Sequence, residues 1–402
     1  MSEKEFDVHN RERTYRRALA ALETAEIGED RQLIKDFLHD EGASGIGHNR
    51  QTKYAYFLIQ LRKWLGTPFK KATEADLKEL VNEHLENGKY AAWTRRDFKV
   101  SLIKFYRWLG KLEKGTRPPI LKFMDTRLKS RETKLPEQLI TEEEARALIA
   151  AGRNAREKAL IAVLYESAAR IAEFLNLRIR DAAFDKNGAI LSITHGKTGA
   201  RRIRIVFSAP YLREWLEYHP QKEKPAAPLW PSKRAGYAAP ITYEMANKII
   251  RGIAARAGIK KPVNPHAFRH ARLTYLAKKL TDAQLKQFAG WTQASSMAAV
   301  YVHLSGRDTD EAILGIYGLT DSKKDEAPRL KVCPLCRMPN APEAQHCINK
   351  ACGVLLDAGA WRDEQEKERE KREALYLLVK ELELRLNAMQ GPRRAKPAAQ
   401  PL

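Results

Sequence analysis

The chain has 402 residues, 44% of them hydrophobic, which is too long for one compact core and enough to build two or three domains. Lys and Arg total 72 against 50 Asp and Glu, a net charge of +22, and this favours a polyanionic partner, nucleic acid before an anionic membrane surface. No apolar run approaches the roughly 18–20 residues that cross a bilayer, and the N-terminal MSEKEFDVHNRERTYRR lacks the apolar core of a signal peptide, so a cytoplasmic protein is expected.

In chain order, residues 1–50 read as a polar helical arm closed by the glycines of DEGASGIGHNR. Residues 51–125 hold three segments with apolar residues at helical spacing, for example Phe98, Leu102, Phe105 and Trp108. Thr73 followed by Asp76, and Thr141 followed by Glu144, have the spacing of helix-start capping boxes. Residues 126–140 form a basic, proline-containing linker. From 141 to 322 the pattern is mainly helical, interrupted by AILSITHGKTGARRIRIVF, whose alternation around Gly-Lys-Thr-Gly predicts a β-hairpin. Further helices are expected over 242–257, 265–279, 281–289 and 294–303. Residues 361–390 read as a charged helix with Leu375, Val379, Leu382, Leu386 and Met389 in a short heptad seam, and 391–402 as a disordered tail. The expected fold is therefore mainly α and multidomain, with a small antiparallel sheet.

PHAFRHARLTYLAKK, residues 265–279, carries the first chemical signal. Asn264 and Pro265 suit the N-cap and first helical positions. His266 and Arg269 then lie one turn apart on one face, where a guanidinium and a helix N-terminus attract an anion and an imidazole can move a proton. Taken singly, such residues are more often ordinary surface or capping groups. Arg170 and Glu173 could be an ordinary ion pair, Lys197 a solvated hairpin tip, and Tyr301 amphipathic packing. GKT does not make a phosphate-binding P-loop, because Leu191 stands where that motif needs its first glycine.

Together, Arg170 in AAR, the hairpin Lys197, His266-x-x-Arg269, Trp291 in AGW and Tyr301 have an order that resembles the tyrosine recombinases, the phage-integrase family of site-specific DNA recombinases. The resemblance spans about residues 50–320. It makes 51–125 the DNA-clamping core-binding domain and 141–322 the catalytic domain, and implies a C-shaped clamp around duplex DNA. AAR stands where the family often has Gly-x-Arg, and ten residues separate Trp291 from Tyr301, one more than expected of bacterial members. The resemblance implies that Tyr301 attacks the scissile phosphate to form a 3′-phosphotyrosyl link, with Tyr317 as a rival in a poorer context. Arg170 and Arg269 would clamp the non-bridging oxygens and Glu173 would orient the site. Lys197 would protonate the departing 5′ oxygen, His266 would take the tyrosine proton, and Trp291 would pack and position. Catalysis needs neither metal nor ATP, because the phosphotyrosine stores the bond energy. The implied assembly is a homotetramer on two DNA sites, and the implied location is the nucleoid. An inactive DNA-binding relative and a type IB topoisomerase-like strand transferase are the alternatives, with a non-catalytic nucleic-acid-binding zinc protein third.

A second constellation lies in residues 328–358. Cys333, Cys336, Cys347 and Cys352 are the chain's four cysteines. Four thiolates suit a structural, tetrahedral Zn2+ that would tie down a segment too short to fold alone. The spacing resembles a zinc ribbon with a wider second pair, C-x4-C. His346 is a possible substitute ligand, and a redox dithiol is the alternative.

Overall fold

The computed structural model describes residues 5–87, 89–127, 139–194, 196, 199–303, 313, 317, 330–349 and 351–389. Most of the proposed linker, the hairpin lysine Lys197 and the C-terminal tail lie outside them.

The first quarter of the chain is helical: α1 (Arg11–Thr24), α2 (Asp30–Ala43), α3 (His48–Leu65), α4 (Glu74–Leu80), a π turn (Val81–Leu85) and α5 (Ala92–Leu109). The Thr73/Asp76 capping box forms at the start of α4, each side chain bonding to the other's backbone N–H. One core holds all five helices, with Leu22 of α1, Phe37 of α2, Leu58 of α3, Leu77 of α4 and Phe98, Leu102 and Phe105 of α5 fully or almost fully buried. The helices read from sequence as an arm therefore pack into the same core as those that follow. Trp108 lies at its margin and donates its indole N–H to Asp40.

The second core is built on α7 (Ala155–Ser167), which is buried from Ala159 to Ser167. Around it stand α6 (Glu142–Ala150), a short α8 (Ile171–Leu175), α9 (Ala209–Glu217), α10 (Tyr243–Arg256) and α11 (Pro265–Ala277), while α12 (Asp282–Ala289) and α13 (Met297–His303) build a smaller third cluster with Ala168 and Leu273. The Thr141/Glu144 box caps α6. The expected hairpin is β2 (Gly188–Ile193) with β3 (Arg201–Ile205), joined by β1 (Ala182–Asp185) into an antiparallel sheet of order β1-β2-β3. Leu191 pairs with Ile203, and both point into the core. Glu166 on α7 is buried, accepting from the N–H groups of Val206, Phe207 and Ser208 and from the Ser208 hydroxyl. That carboxylate ties α7 to the start of α9, where a negative charge complements the unpaired N–H groups.

Two segments join the parts. Near the N-terminus, Phe6 N–H donates to Asn176 Oδ1 at 2.7 Å and Tyr243 N–H to Val8 O at 2.8 Å, so residues 6–8 lie on the second core although α1 belongs to the first. At the other end, β4 (Lys331–Val332) and β5 (Pro339–Asn340) form a two-stranded sheet around the cysteines. The Tyr211 hydroxyl donates to Glu343, which seats this small unit against α9. The last element, α14 (Ala358–Met389), exposes Leu375, Val379 and Leu382. No described helix is long and apolar enough to cross a membrane.

Candidate active site

The site forms where α7 ends, α11 begins and α12 ends. Asn264 caps α11 as its sequence predicts: its side chain accepts from Ala267 N–H at 3.0 Å, with Pro265 in the first turn. His266 is consequently exposed at the mouth of the site, while Arg269, one turn on, is only 4% exposed. At the end of α7 the chain turns through Ala168, which adopts φ 45°. A β-carbon in this left-handed region costs roughly 1–2 kcal/mol, and the position is the one where the resembling family often has glycine. The turn delivers Arg170 to the first residue before α8.

Three guanidiniums converge on the C-terminus of α12. Arg201 Nε donates to Phe288 O at 3.2 Å, Arg269 Nη2 to Ala289 O at 2.8 Å and Arg170 Nη2 to Gly290 O at 2.8 Å. The last carbonyls of a helix lack partners within it and carry partial negative charge, so they anchor cations. Arg269 Nη1 also donates to Ala168 O at 2.5 Å, locking the α7 turn to α11. Gly290 takes φ 63°, and a β-carbon there would stand 2.6–2.9 Å from the Arg201 guanidinium. Glycine is thus required both by the backbone and by the close approach of the arginine.

Glu173, 5% exposed, holds this cluster together. It accepts from Arg170 N–H and Nη1 at 3.0 and 2.9 Å, and from Arg201 Nη1 and Nη2 at 3.1 and 2.7 Å. Burial opposes its ionisation, but the hydrogen bonds and charge of Arg201, then those of Arg170, outweigh it and hold its carboxyl below the usual range. Arg269 is lowered to about 10, first by burial and then by the like charge of Arg170. Two guanidiniums held close together in a buried site favour an anion between them.

Tyr301 on α13 completes the cluster and is 2% exposed. Its ring stacks on Trp291, with centroids 5.5 Å apart, and the Arg269 guanidinium lies 5.6 Å from the Trp291 ring centroid. Its hydroxyl is 2.8 Å from Nδ1 of His270. Burial raises the Tyr301 phenol above its ordinary value, and the Arg269 charge offsets part of that rise.

Of the sequence-derived residues, Arg170, Glu173, His266, Arg269, Trp291 and Tyr301 meet here, and Lys197 lies outside the described residues. Tyr317 is 73% exposed. Two participants were not singled out from sequence. Arg201 shares the inward face of β3 with Ile203 and Ile205, and a charge on an apolar face is the signal that marks it. His270 is four residues after His266, on the same helical face.

The second constellation also assembles. One sulfur from each of Cys333, Cys336, Cys347 and Cys352 lies within 4.8 Å of the others. The Cys333–Cys352 and Cys336–Cys347 sulfurs are 3.6 and 3.5 Å apart. Four sulfurs at about 2.3 Å from a tetrahedral zinc would be separated by about 3.8 Å, so the set fits that ion. Cys336 N–H points at Cys333 Sγ at 3.5 Å, the backbone-to-sulfur contact that steadies a thiolate.

Comparisons with known proteins agree with this geometry. Residues 138–307 match the Phage integrase family. Tyrosine recombinase XerA of Pyrococcus horikoshii is 25% identical over 188 residues, an alignment that covers 46% of this chain and 64% of that protein's own length. Tyrosine recombinase XerD of Lacticaseibacillus casei is 26% identical over 289 residues, covering 68% of this chain and 94% of the relative. Among solved structures, the XerH site-specific recombinase in a post-cleavage complex with its palindromic difH substrate superposes with TM-score 0.55 at 19% identity, covering 78% of this chain and 98% of that one. A lambda integrase dimer bound to a COC′ core site gives TM-score 0.53 at 15% identity, covering 69% and 77%. These structures share the fold of this chain. The residues that match the Phage integrase family, 138–307, include every member of the arginine–tyrosine cluster described above.

Proposed function

We propose that the chain is a tyrosine-type site-specific DNA recombinase, an integrase that cuts and rejoins duplex DNA through a 3′-phosphotyrosyl intermediate. The observation that carries the reading is that Arg170 and Arg269, from distant parts of the chain, meet at the C-terminus of α12 with Tyr301 close enough for the Arg269 charge to act on its phenol. A scissile phosphate there would receive the remaining N–H donors of both arginines, stabilising the charge that develops in the transition state. Tyr301 would attack phosphorus. Lys197 would supply the proton to the departing 5′ oxygen, and Trp291 would fix the tyrosine ring. Glu173 keeps Arg170 in place. The phosphotyrosyl bond conserves the energy of the broken phosphodiester, so rejoining needs no ATP.

The relatives' names, the net charge of +22 and the superposition on recombinase–DNA complexes support a duplex DNA partner. The same comparisons, which include a lambda integrase tetramer bound to a Holliday junction, support assembly on paired sites, and the exposed stripe of α14 is a candidate contributor. The test is recombination between two plasmid-borne copies of the target, sought in DNA flanking the gene, in buffer with chelator and no nucleotide. Exchange restricted to paired sites is expected. Relaxation of supercoiled DNA of any sequence would instead make the chain a topoisomerase-like strand transferase, and binding without cleavage would make it a DNA-binding relative.

For the cysteine unit, we propose one structural Zn2+ held by Cys333, Cys336, Cys347 and Cys352. All four positions are protein thiolates, so the ion has no open site for chemistry. Metal analysis should find one zinc per chain. Stripping it should expose 331–356 to proteolysis while the melting of the helical cores persists. Metal-free protein with an unchanged proteolysis pattern would refute the site.

A further inference from the structure

The Tyr301 proton has a partner other than the one the resemblance implies. We propose that His270 is the catalytic base: Nδ1 of its imidazole takes the proton from the Tyr301 hydroxyl as the strand is cut. This rests on the recombinase reading and deepens it.

Geometry separates the two histidines. His270 Nδ1 stands 2.8 Å from the Tyr301 hydroxyl, within the 2.6–3.2 Å reach of a general base. The two rings lie 5.6 Å apart and 30° from coplanar. His266, one turn earlier, is exposed at the mouth and meets His270 edge-on, at 4.6 Å and 76°. Trp291 stacks on the tyrosine ring, so the phenol packs against both the His270 and the Trp291 rings. A base is needed because burial makes this phenol harder to ionise than one in water.

The step balances. The Tyr301 O–H bond breaks and an N–H bond forms at His270 Nδ1. The phenolate oxygen bonds to phosphorus as the phosphorus–O5′ bond breaks, and the 5′ oxygen takes a proton from the general acid. In rejoining, the 5′-hydroxyl gives its proton back to the conjugate base of the general acid and bonds to phosphorus, the phosphorus–Tyr301 oxygen bond breaks, and the His270 imidazolium returns its proton to the tyrosine oxygen.

The test uses the full-length protein on a nicked target, read as single-turnover formation of the covalent adduct at saturating DNA. In His270→Asn the amide occupies the place of Nδ1 and keeps a hydrogen-bonding atom there, but cannot take a proton. Its adduct rate is expected to fall about 100-fold or more, with DNA affinity and melting temperature close to wild type. Replacing Tyr301 in that variant by a fluorinated tyrosine that is ionised at neutral pH should restore most of the rate, since the missing function is proton removal. A loss of structure would not be repaired by that change. His270→Asn within threefold of wild type, or no recovery with the fluorinated tyrosine, would overturn the assignment. Wild type forming no adduct on DNA it binds would instead sink the recombinase reading, and this proposal with it.

Discussion

Replacing Arg269 by lysine should slow strand cleavage by about 10²–10³-fold while DNA binding changes only a few-fold. The reason lies in how the guanidinium is already used. Two of its N–H groups are committed to Ala168 O and Ala289 O, and a guanidinium has five. One side chain can therefore fasten α7 and α12 to α11 and still present donors to a phosphate. An ammonium has three donors at one point and cannot span both tasks. Buried at this depth it would also tend to lose its proton. The measurement pairs single-turnover cleavage with a mobility-shift titration. A lysine variant within tenfold of wild type would mean that Arg269 is structural and does not touch the reacting phosphate.

The second large effect is on stability. Glu173→Gln should destabilise the second core by about 3–5 kcal/mol, because breaking a buried ion pair leaves an uncompensated charge. The stranded charge is Arg201, whose side chain is 7% exposed. For a unit of this size that corresponds to a fall in melting temperature of roughly 10 °C. Adding Arg201→Met should recover much of the loss, since the double variant has no stranded partner. Additive losses would show that the pair is not coupled. A pH dependence follows from the same residue. The folded-state pKa of Glu173 is depressed, so its contribution is fully present above the ordinary carboxylate pKa. It is lost as pH falls through the depressed folded value. The wild-type advantage over Glu173→Gln should therefore shrink in acid, and an advantage that grows in acid would contradict the assignment.

Much of this arrangement was legible in the sequence, for reasons that differ between residues. His266 and Arg269 could be placed because Asn264-Pro265 announces a helix start, and three residues of helix put both on one face. The hairpin showed in its alternation, and both threonine capping boxes formed as read. The Arg170–Glu173 pair was legible as local spacing. Its meaning was not, because the third member, Arg201, comes from a strand whose register sequence alone does not fix. The carbonyls that hold the arginines belong to residues 288–290, and backbone groups leave no mark on composition. Glu166 was missed for a similar reason. A single carboxylate within an apolar helix reads as a surface position until the N–H groups of residues 206–208 are seen to surround it. His270 lay in plain view, but which of two histidines one turn apart meets the tyrosine depends on where α13 packs.

The central claim is that Tyr301 becomes covalently joined to DNA. The most direct measurement is to trap the adduct on a target nicked just 3′ of the scissile phosphate, digest the protein and the DNA, and identify the nucleotide-bearing peptide by mass spectrometry. The account predicts a single 3′-phosphonucleotide on Tyr301, absent from Tyr301→Phe. A nucleotide on Tyr317 or any other residue, or no linked peptide from protein bound to its site, would contradict it.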